Sequence, residues 1–92
     1  MKSYFARLES NYRSGYGRSE VNIPEGTIIR VNESDEPWGK YFIGFYDQKN
    51  DRLRRVAVSV SLLEELGYFD DRTIDQNKDV TSTLRSLNSK RR

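Results

Sequence analysis

The chain has 92 residues, a third of them charged, and it contains neither cysteine nor histidine. This length suits one domain with one modest core. Without cysteine there is no disulfide framework, and without histidine the commonest general base and zinc ligand are absent. No stretch approaches the roughly 18 apolar residues of a membrane span, and no signal-peptide pattern opens the chain. We therefore expect a cytoplasmic protein that uses no cofactor and contacts no membrane.

The net charge of +2 is spread unevenly along the chain. Residues 1–22 carry +2, residues 23–71 carry −4 and residues 72–92 carry +4. Basic arms around an acidic centre indicate arms that touch an anionic partner. Charged termini that serve solubility alone are the alternative interpretation.

The first residues alternate as a strand does, with Tyr4, Ala6 and Leu8 on one side. Phe5, Leu8 and Tyr12 also have helical spacing, but the tyrosine and phenylalanine content and the β-rich sequence that follows favour a strand. Residues 11–22 are predicted to be a flexible loop because Gly15 and Gly17 lie within them.

A turn is predicted at residues 23–26, where Pro24 presets φ and Gly26 tolerates a positive φ. The next strand is predicted over residues 27–31. Residues 32–38 read as an acidic loop, since Pro37 argues against continuing the strand.

The strongest pattern is a hairpin over residues 39–60, followed by one helical turn over residues 61–66. The loop Gln48 to Asp51 predicts that Phe45 faces Arg54, Ile43 faces Val56 and Tyr41 faces Val58. This register makes one face of the hairpin apolar. In the helical turn that follows, Ser61 and Glu64 have the spacing of a capping box. The predicted core consists of Ile29, Val31, Ile43, Phe45, Val56, Val58, Leu63 and Leu66.

The other face of this hairpin is half apolar, so we expect it to be covered by a terminal segment or to bind a partner. The compact β domain is predicted to span residues 1–71. Residues 72–92 are read as a basic polar tail, partly helical or disordered, in which Val80, Leu84 and Leu87 form a helical stripe with Asp79 as N-cap. With so few apolar residues, the tail is expected to contribute to binding more than to folding.

The order of these elements, ending in a hairpin strand, a one-turn helix and a last short segment, resembles an SH3-like small β-barrel over residues 23–69. The resemblance implies a mainly β fold built from a small antiparallel barrel or sheet. The chain lacks the ALYDY-type stretch of the peptide-binding members, and Trp38 stands alone where they have a tandem pair.

No catalytic or metal-binding pattern is present. The adjacent carboxylates face different directions on a strand or a helix, and no EF-hand pattern accompanies the aspartates near residue 75. We expect a protein that is not an enzyme.

The leading hypothesis is a small nucleic-acid-binding regulator or inhibitor, with RNA or single strands preferred over duplex DNA. Arginine interleaved with tyrosine and glycine suits single strands, because arginine meets phosphate and aromatic rings stack on bases. The candidate binding residues are Arg13, Tyr16, Arg18, Arg30, Phe42, Tyr46, Arg55, Lys90, Arg91 and Arg92.

The alternative hypothesis is a protein-interaction module, for example a phage-encoded inhibitor of a host enzyme or defence protein. An acidic loop suits a basic partner surface, and small chains without histidine or cysteine suit this role. Its candidate contacts are Glu33, Asp35, Glu36 and Trp38.

Overall fold

The chain forms an antiparallel β structure with one C-terminal α-helix, as the sequence predicts. The computed structural model describes residues 2–15, 17, 20–33, 41–58, 60–70, 72, 74 and 77–89. The strands are β1 (Lys2–Leu8), β2 (Tyr12–Ser14), β3 (Val21–Ile23), β4 (Ile28–Glu33), β5 (Tyr41–Asp47), β6 (Arg52–Val58) and β7 (Leu66–Gly67). A 3₁₀ helix (Val60–Glu65) precedes β7, and the α-helix α1 spans Val80–Ser89.

Five strands form the main sheet in the order β6-β5-β4-β1-β7, with every neighbouring pair antiparallel. Strands β2 and β3 pair separately as a small hairpin. Among the described residues the main sheet is open, with β6 and β7 at its edges, and it does not close into a barrel.

The central hairpin has the predicted register. Phe45 pairs with Arg54, Ile43 with Val56 and Tyr41 with Val58. Asp51 adopts φ 49° in the turn, a conformation that aspartate tolerates better than most residues. A shift of one residue would send the apolar side chains to the opposite face, so the alternating pattern fixes the pairing.

The first hydrophobic cluster lies on one face of the main sheet, and all eight predicted core residues belong to it or pack against it. Its buried members are Ala6, Leu8, Val21, Ile23, Ile29, Val31, Ile43, Phe45 and Leu62. Val56, Val58, Leu63 and Leu66 are partly buried against them. The core prediction is therefore confirmed.

Residues 11–22 differ from the loop that the sequence predicts. Tyr12–Ser14 and Val21–Ile23 are paired strands, and Val21 and Ile23 are buried in the first cluster. Three-residue strands are too short to give a recognisable alternation, so their pairing depends on the core beneath them.

Helix α1 packs on the opposite face of the main sheet, where it contacts β4, β5 and β6. Leu84 is fully buried there with Phe5 and Ile28, and Val80 and Leu87 pack around them. We call this set the second cluster. The helical stripe is as predicted. The tail was expected to contribute to binding more than to folding, but the side chains of this stripe pack against the sheet.

A side chain of α1 also completes backbone hydrogen bonding in the sheet. The Ile28 amide donates to Asn88 Oδ1 at 2.8 Å, and Asn88 Nδ2 donates to the Ile28 carbonyl at 3.2 Å and to the Leu84 carbonyl at 2.7 Å. The β4–β5 ladder runs from Glu33 to Arg30 and stops before Ile28. Asn88 thus takes the place of a partner strand at Ile28.

Among the described residues, no helix is both long enough and apolar enough to cross a membrane.

Candidate nucleic-acid interface

The face of the main sheet opposite the first cluster is basic. Because side chains alternate along a strand, the pairing registers place twelve residues of the four long strands on this face. They are Ser3, Phe5, Arg7, Ile28, Arg30, Asn32, Phe42, Gly44, Tyr46, Leu53, Arg55 and Ala57. We call this set the outer face. Helix α1 covers part of it, since Phe5 and Ile28 are buried with Leu84 of α1. It contains three arginines and no carboxylate.

Arg30 and Arg55 stand on either side of a glycine. Gly44 on β5 pairs with Arg30 on β4 and with Arg55 on β6. Neighbouring strands lie about 4.8 Å apart, so the two arginine Cα atoms are separated by about 10 Å. Gly44 contributes no side chain, and a Cβ added there would lie 3.4 Å from Leu53 Cδ1. Leu53 therefore lies beside the position between the two cations where Gly44 has no side chain.

Arg30 is oriented by an aromatic neighbour. Its guanidinium carbon lies 4.6 Å from the centroid of the Phe5 ring, which is within the range of a cation–π contact. The guanidinium N–H groups have no carboxylate partner among the described residues. Those groups are the ones that bind phosphate oxygens.

Phe42 supplies an exposed ring in the adjacent row of the outer face. Its side chain is 38% exposed, although phenylalanine is usually buried. Its cross-strand neighbours are Asn32 and Ala57, which are a short polar and a small residue. The ring is thus open to a flat ligand on the same face as Arg30 and Arg55.

The arginines of the outer face lack carboxylate partners. Within the described part of the chain, no carboxylate oxygen lies within 4.0 Å of the guanidinium nitrogens of Arg7, Arg30 or Arg55. Four other arginines do have such partners, in the pairs Arg13–Glu20, Arg54–Asp47, Arg72–Asp70 and Arg85–Asp51. Three cations of the outer face are therefore left without a described carboxylate partner.

Tyr46 lies on the outer face but is engaged within the protein. Its hydroxyl donates to Asp51, and the Arg85 guanidinium lies 5.3 Å from the centroid of its ring. The hydrogen bond to Asp51 raises the pKa of the Tyr46 phenol. A base stacking on this ring would have to displace Arg85.

Arg13 is placed away from the outer face, on the β2–β3 hairpin. Its guanidinium pairs with Glu20 at 2.7 Å, across the same hairpin. The other predicted nucleic-acid contacts lie outside the described residues. They are Tyr16, Arg18, Lys90, Arg91 and Arg92.

Of the residues predicted to contact a protein partner, only Glu33 is described. It accepts a hydrogen bond of 3.5 Å from the Tyr4 hydroxyl, whose pKa is raised by burial and by Glu33. Asp35, Glu36 and Trp38 lie outside the described residues.

Arg7 is a basic residue of this face that sequence reasoning missed. Its guanidinium lies 5.9 Å from the centroid of the Phe69 ring. The available signal was that Arg7 and Phe5 share a side of the first strand. That signal identifies a face only when the pairing of β1 with β4 is known.

Across the residues that are described, no group of three or more histidine, cysteine, aspartate or glutamate side chains has a geometry that could hold a metal ion. No protein-family model, curated protein or solved structure matches the chain.

Proposed function

We propose that this chain is a small, non-catalytic, cytoplasmic nucleic-acid-binding protein that acts as a regulator or inhibitor. Its ligand is RNA or another single-stranded nucleic acid, bound on the part of the outer face that α1 leaves uncovered. The observation that carries the proposal is the combination of Arg7, Arg30 and Arg55, which have no described carboxylate partner, with the exposed ring of Phe42.

The geometry favours a single strand over a duplex. An unpaired base can stack on the Phe42 ring while its flanking phosphates reach the arginines. A duplex keeps its bases stacked inside, so the exposed ring would contribute little. Sequence tolerance is expected, since every base has a flat face and every nucleotide a phosphate.

The proposal includes an SH3-like arrangement of the strands. Support comes from the order of elements: the central hairpin is followed by the 3₁₀ helix, and the short β7 then returns to pair with β1. This order is the one that the sequence resemblance implies.

The binding test is a titration of a fluorescent single-stranded RNA of about a dozen nucleotides at several salt concentrations. The slope of log Kobs against log salt is expected to be about −0.7 for each phosphate contact. The double variant Arg30→Gln, Arg55→Gln should reduce the magnitude of the slope by about 1.4 and weaken all sequences alike.

Arg52→Gln is the matched control for Arg55→Gln. Both residues are exposed arginines of β6, but alternation places Arg52 on the opposite face. The control removes the same charge and should leave the slope unchanged.

Phe42→Ala separates stacking from charge. It should weaken RNA binding by about 1–3 kcal/mol with little change in slope, because stacking releases few counterions. If Arg52→Gln weakens RNA binding as much as each arginine removed in the double variant does, the outer face is not the binding site. If the wild-type protein binds no RNA at about 50 mM salt, the nucleic-acid proposal fails and a direct protein partner becomes the better hypothesis.

A further inference from the structure

We propose that the free edge of β1 binds an extended segment of a partner protein, which adds to the main sheet as a strand in line with β7. Strand β1 spans Lys2–Leu8, but β7 has two residues and pairs only with Arg7 and Leu8. Within the described part of the chain, no strand pairs with residues 2–6 on this side. The site uses the outward backbone groups of Ser3 and Phe5, whose side chains belong to the outer face, and it does not depend on the proposed function.

The peptide groups that face this edge can be identified from their neighbours. Leu8 bonds towards β4, because its amide donates to Thr27 O at 2.9 Å and its carbonyl accepts from Gly26 N at 2.8 Å. Glu9 bonds in the other direction, donating to Glu65 O at 2.8 Å. Since peptide groups alternate along a strand, those of Ser3 and Phe5 face the free edge.

An apolar groove accompanies the edge. It has a volume of about 420 Å³ and is lined by Tyr4, Phe5, Ala6, Leu63, Leu66, Gly67, Tyr68 and Phe69. Tyr68 is 84% exposed, a large exposure for an aromatic side chain beside a free strand edge. A strand added here would place alternate side chains in the groove and hydrogen-bond through its backbone to Ser3 and Phe5.

The two edges of the main sheet differ in charge. Strand β6 carries Arg52, Arg54 and Arg55, and charged residues on an edge strand discourage pairing with another chain. The stretch of β1 from Ser3 to Ala6 has no charged residue. Between Lys2 and Arg7, this edge therefore lacks the charged residues that discourage strand addition.

These features favour a partner segment that is uncharged and has apolar residues at alternate positions. It would run antiparallel to β1, as β7 does, and so continue an existing ladder. A second copy of this chain fits less well. Two β1 edges that pair Ser3 of one copy with Phe5 of the other bring Lys2 opposite Ala6, beside an apolar groove.

The experiment uses a panel of fluorescent peptides of about seven residues, acetylated and amidated, with valine, isoleucine or tyrosine alternating with serine. Each peptide has two N-methylated forms, in which either the odd or the even backbone nitrogens carry the methyl group. A strand uses only one of these sets to pair with β1. We therefore expect one form to lose binding and the other to retain it.

Ser3→Pro tests the same edge by a change in the protein instead of the peptide. Proline removes an amide that faces outward, so the β1–β4 ladder keeps its hydrogen bonds, and edge strands tolerate proline. It should raise the Kd of the peptide at least about fivefold. Ser3→Ala is the matched control, since both changes lose the 2.8 Å hydrogen bond from Ser3 Oγ to Asn32 and only proline removes the amide.

A measurement on the wild-type protein is independent of how these variants fold. Bound peptide should slow hydrogen exchange at the Ser3 and Phe5 amides. The proposal is overturned if no peptide of the panel binds saturably at millimolar concentration, or if the two N-methylated forms bind alike. It is also overturned if the protein alone forms a dimer that Ser3→Pro abolishes, because the occupant is then a second copy.

Discussion

At the scale of single residues, the carboxylate of Asp47 organises the turn of the central hairpin. Its Oδ2 accepts from Asn50 Nδ2 at 2.8 Å and its Oδ1 accepts from the Lys49 amide at 3.1 Å. Arg54 lies 4.0 Å away. These contacts, the Asn50 hydrogen bond first, hold the pKa of Asp47 below its usual range.

A lowered pKa in the folded state has a defined consequence for stability. The folded protein binds fewer protons at Asp47 than the unfolded chain, so the contribution is complete above the unfolded pKa of about 3.9. It is lost as the pH falls through the folded pKa. We expect urea unfolding measured between about pH 5 and pH 2 to show a smaller loss of stability for Asp47→Asn than for the wild type.

The control for this measurement is Glu25→Gln. Glu25 is exposed, and no described residue donates a hydrogen bond to its carboxylate. Glu25→Gln changes the net charge by the same amount as Asp47→Asn and leaves the turn contacts in place. If the stability of Asp47→Asn falls with pH as much as that of the wild type, the turn contacts do not stabilise the charged form of Asp47.

At the scale of elements, α1 is part of the folded domain and not an accessory tail. Leu84 has no exposed surface and packs with Phe5 and Ile28. Leu84→Ala should lower the free energy of unfolding by about 2–5 kcal/mol, through lost burial and the cavity left behind. Ser82→Ala, an exposed change in the same helix, should stay within about 0.5 kcal/mol.

Urea denaturation followed by far-UV circular dichroism measures both values. A loss below about 1 kcal/mol for Leu84→Ala would show that α1 is held loosely on the sheet, since a fully buried leucine normally contributes more.

The central hairpin could be predicted from the sequence, whereas the position of α1 could not. The hairpin depends on local rules: alternation over β5 and β6 and a short polar turn. The stripe of α1 predicts a helix, but the same stripe suits docking on this domain or on a partner. Docking includes contacts such as that of Asn88 with Ile28, which lie sixty residues apart in the chain, and no local pattern encodes them.

Part of the outer face could be predicted from the sequence, because local patterns predict the register of the central hairpin. Phe42 and Arg55 belong to the central hairpin, so their shared face follows from its register. Arg7 lies on a strand whose partner is distant in sequence. Tyr46 was placed on the correct face, but its contact with Arg85 could be recognised only once the position of α1 was known.

At the scale of the whole molecule, a single sheet separates two hydrophobic clusters. Residues of β1 alternate between them, since Ala6 and Leu8 face the first cluster and Phe5 faces the second. Neither cluster can lose its packing without disturbing a strand that the other cluster uses. We expect the domain to unfold in one cooperative step.

The measurement compares far-UV and near-UV circular dichroism during thermal unfolding. Val31→Ala in the first cluster and Leu84→Ala in the second should each shift one common transition, with coincident midpoints in both spectral regions. A helix signal that melts before the tyrosine signal would show instead that the second cluster is a separate unit.

The amide of Asn88 makes helix and sheet competitors for the same backbone groups. By the register of the ladder, Tyr46 would be the next residue to pair with Ile28, yet the Ile28 amide and carbonyl are occupied by Asn88. Pairing of Ile28 with Tyr46 would therefore require Asn88 to release both of these backbone groups. The Asn88 side chain and one further rung of the ladder are therefore alternative partners for the same two backbone groups.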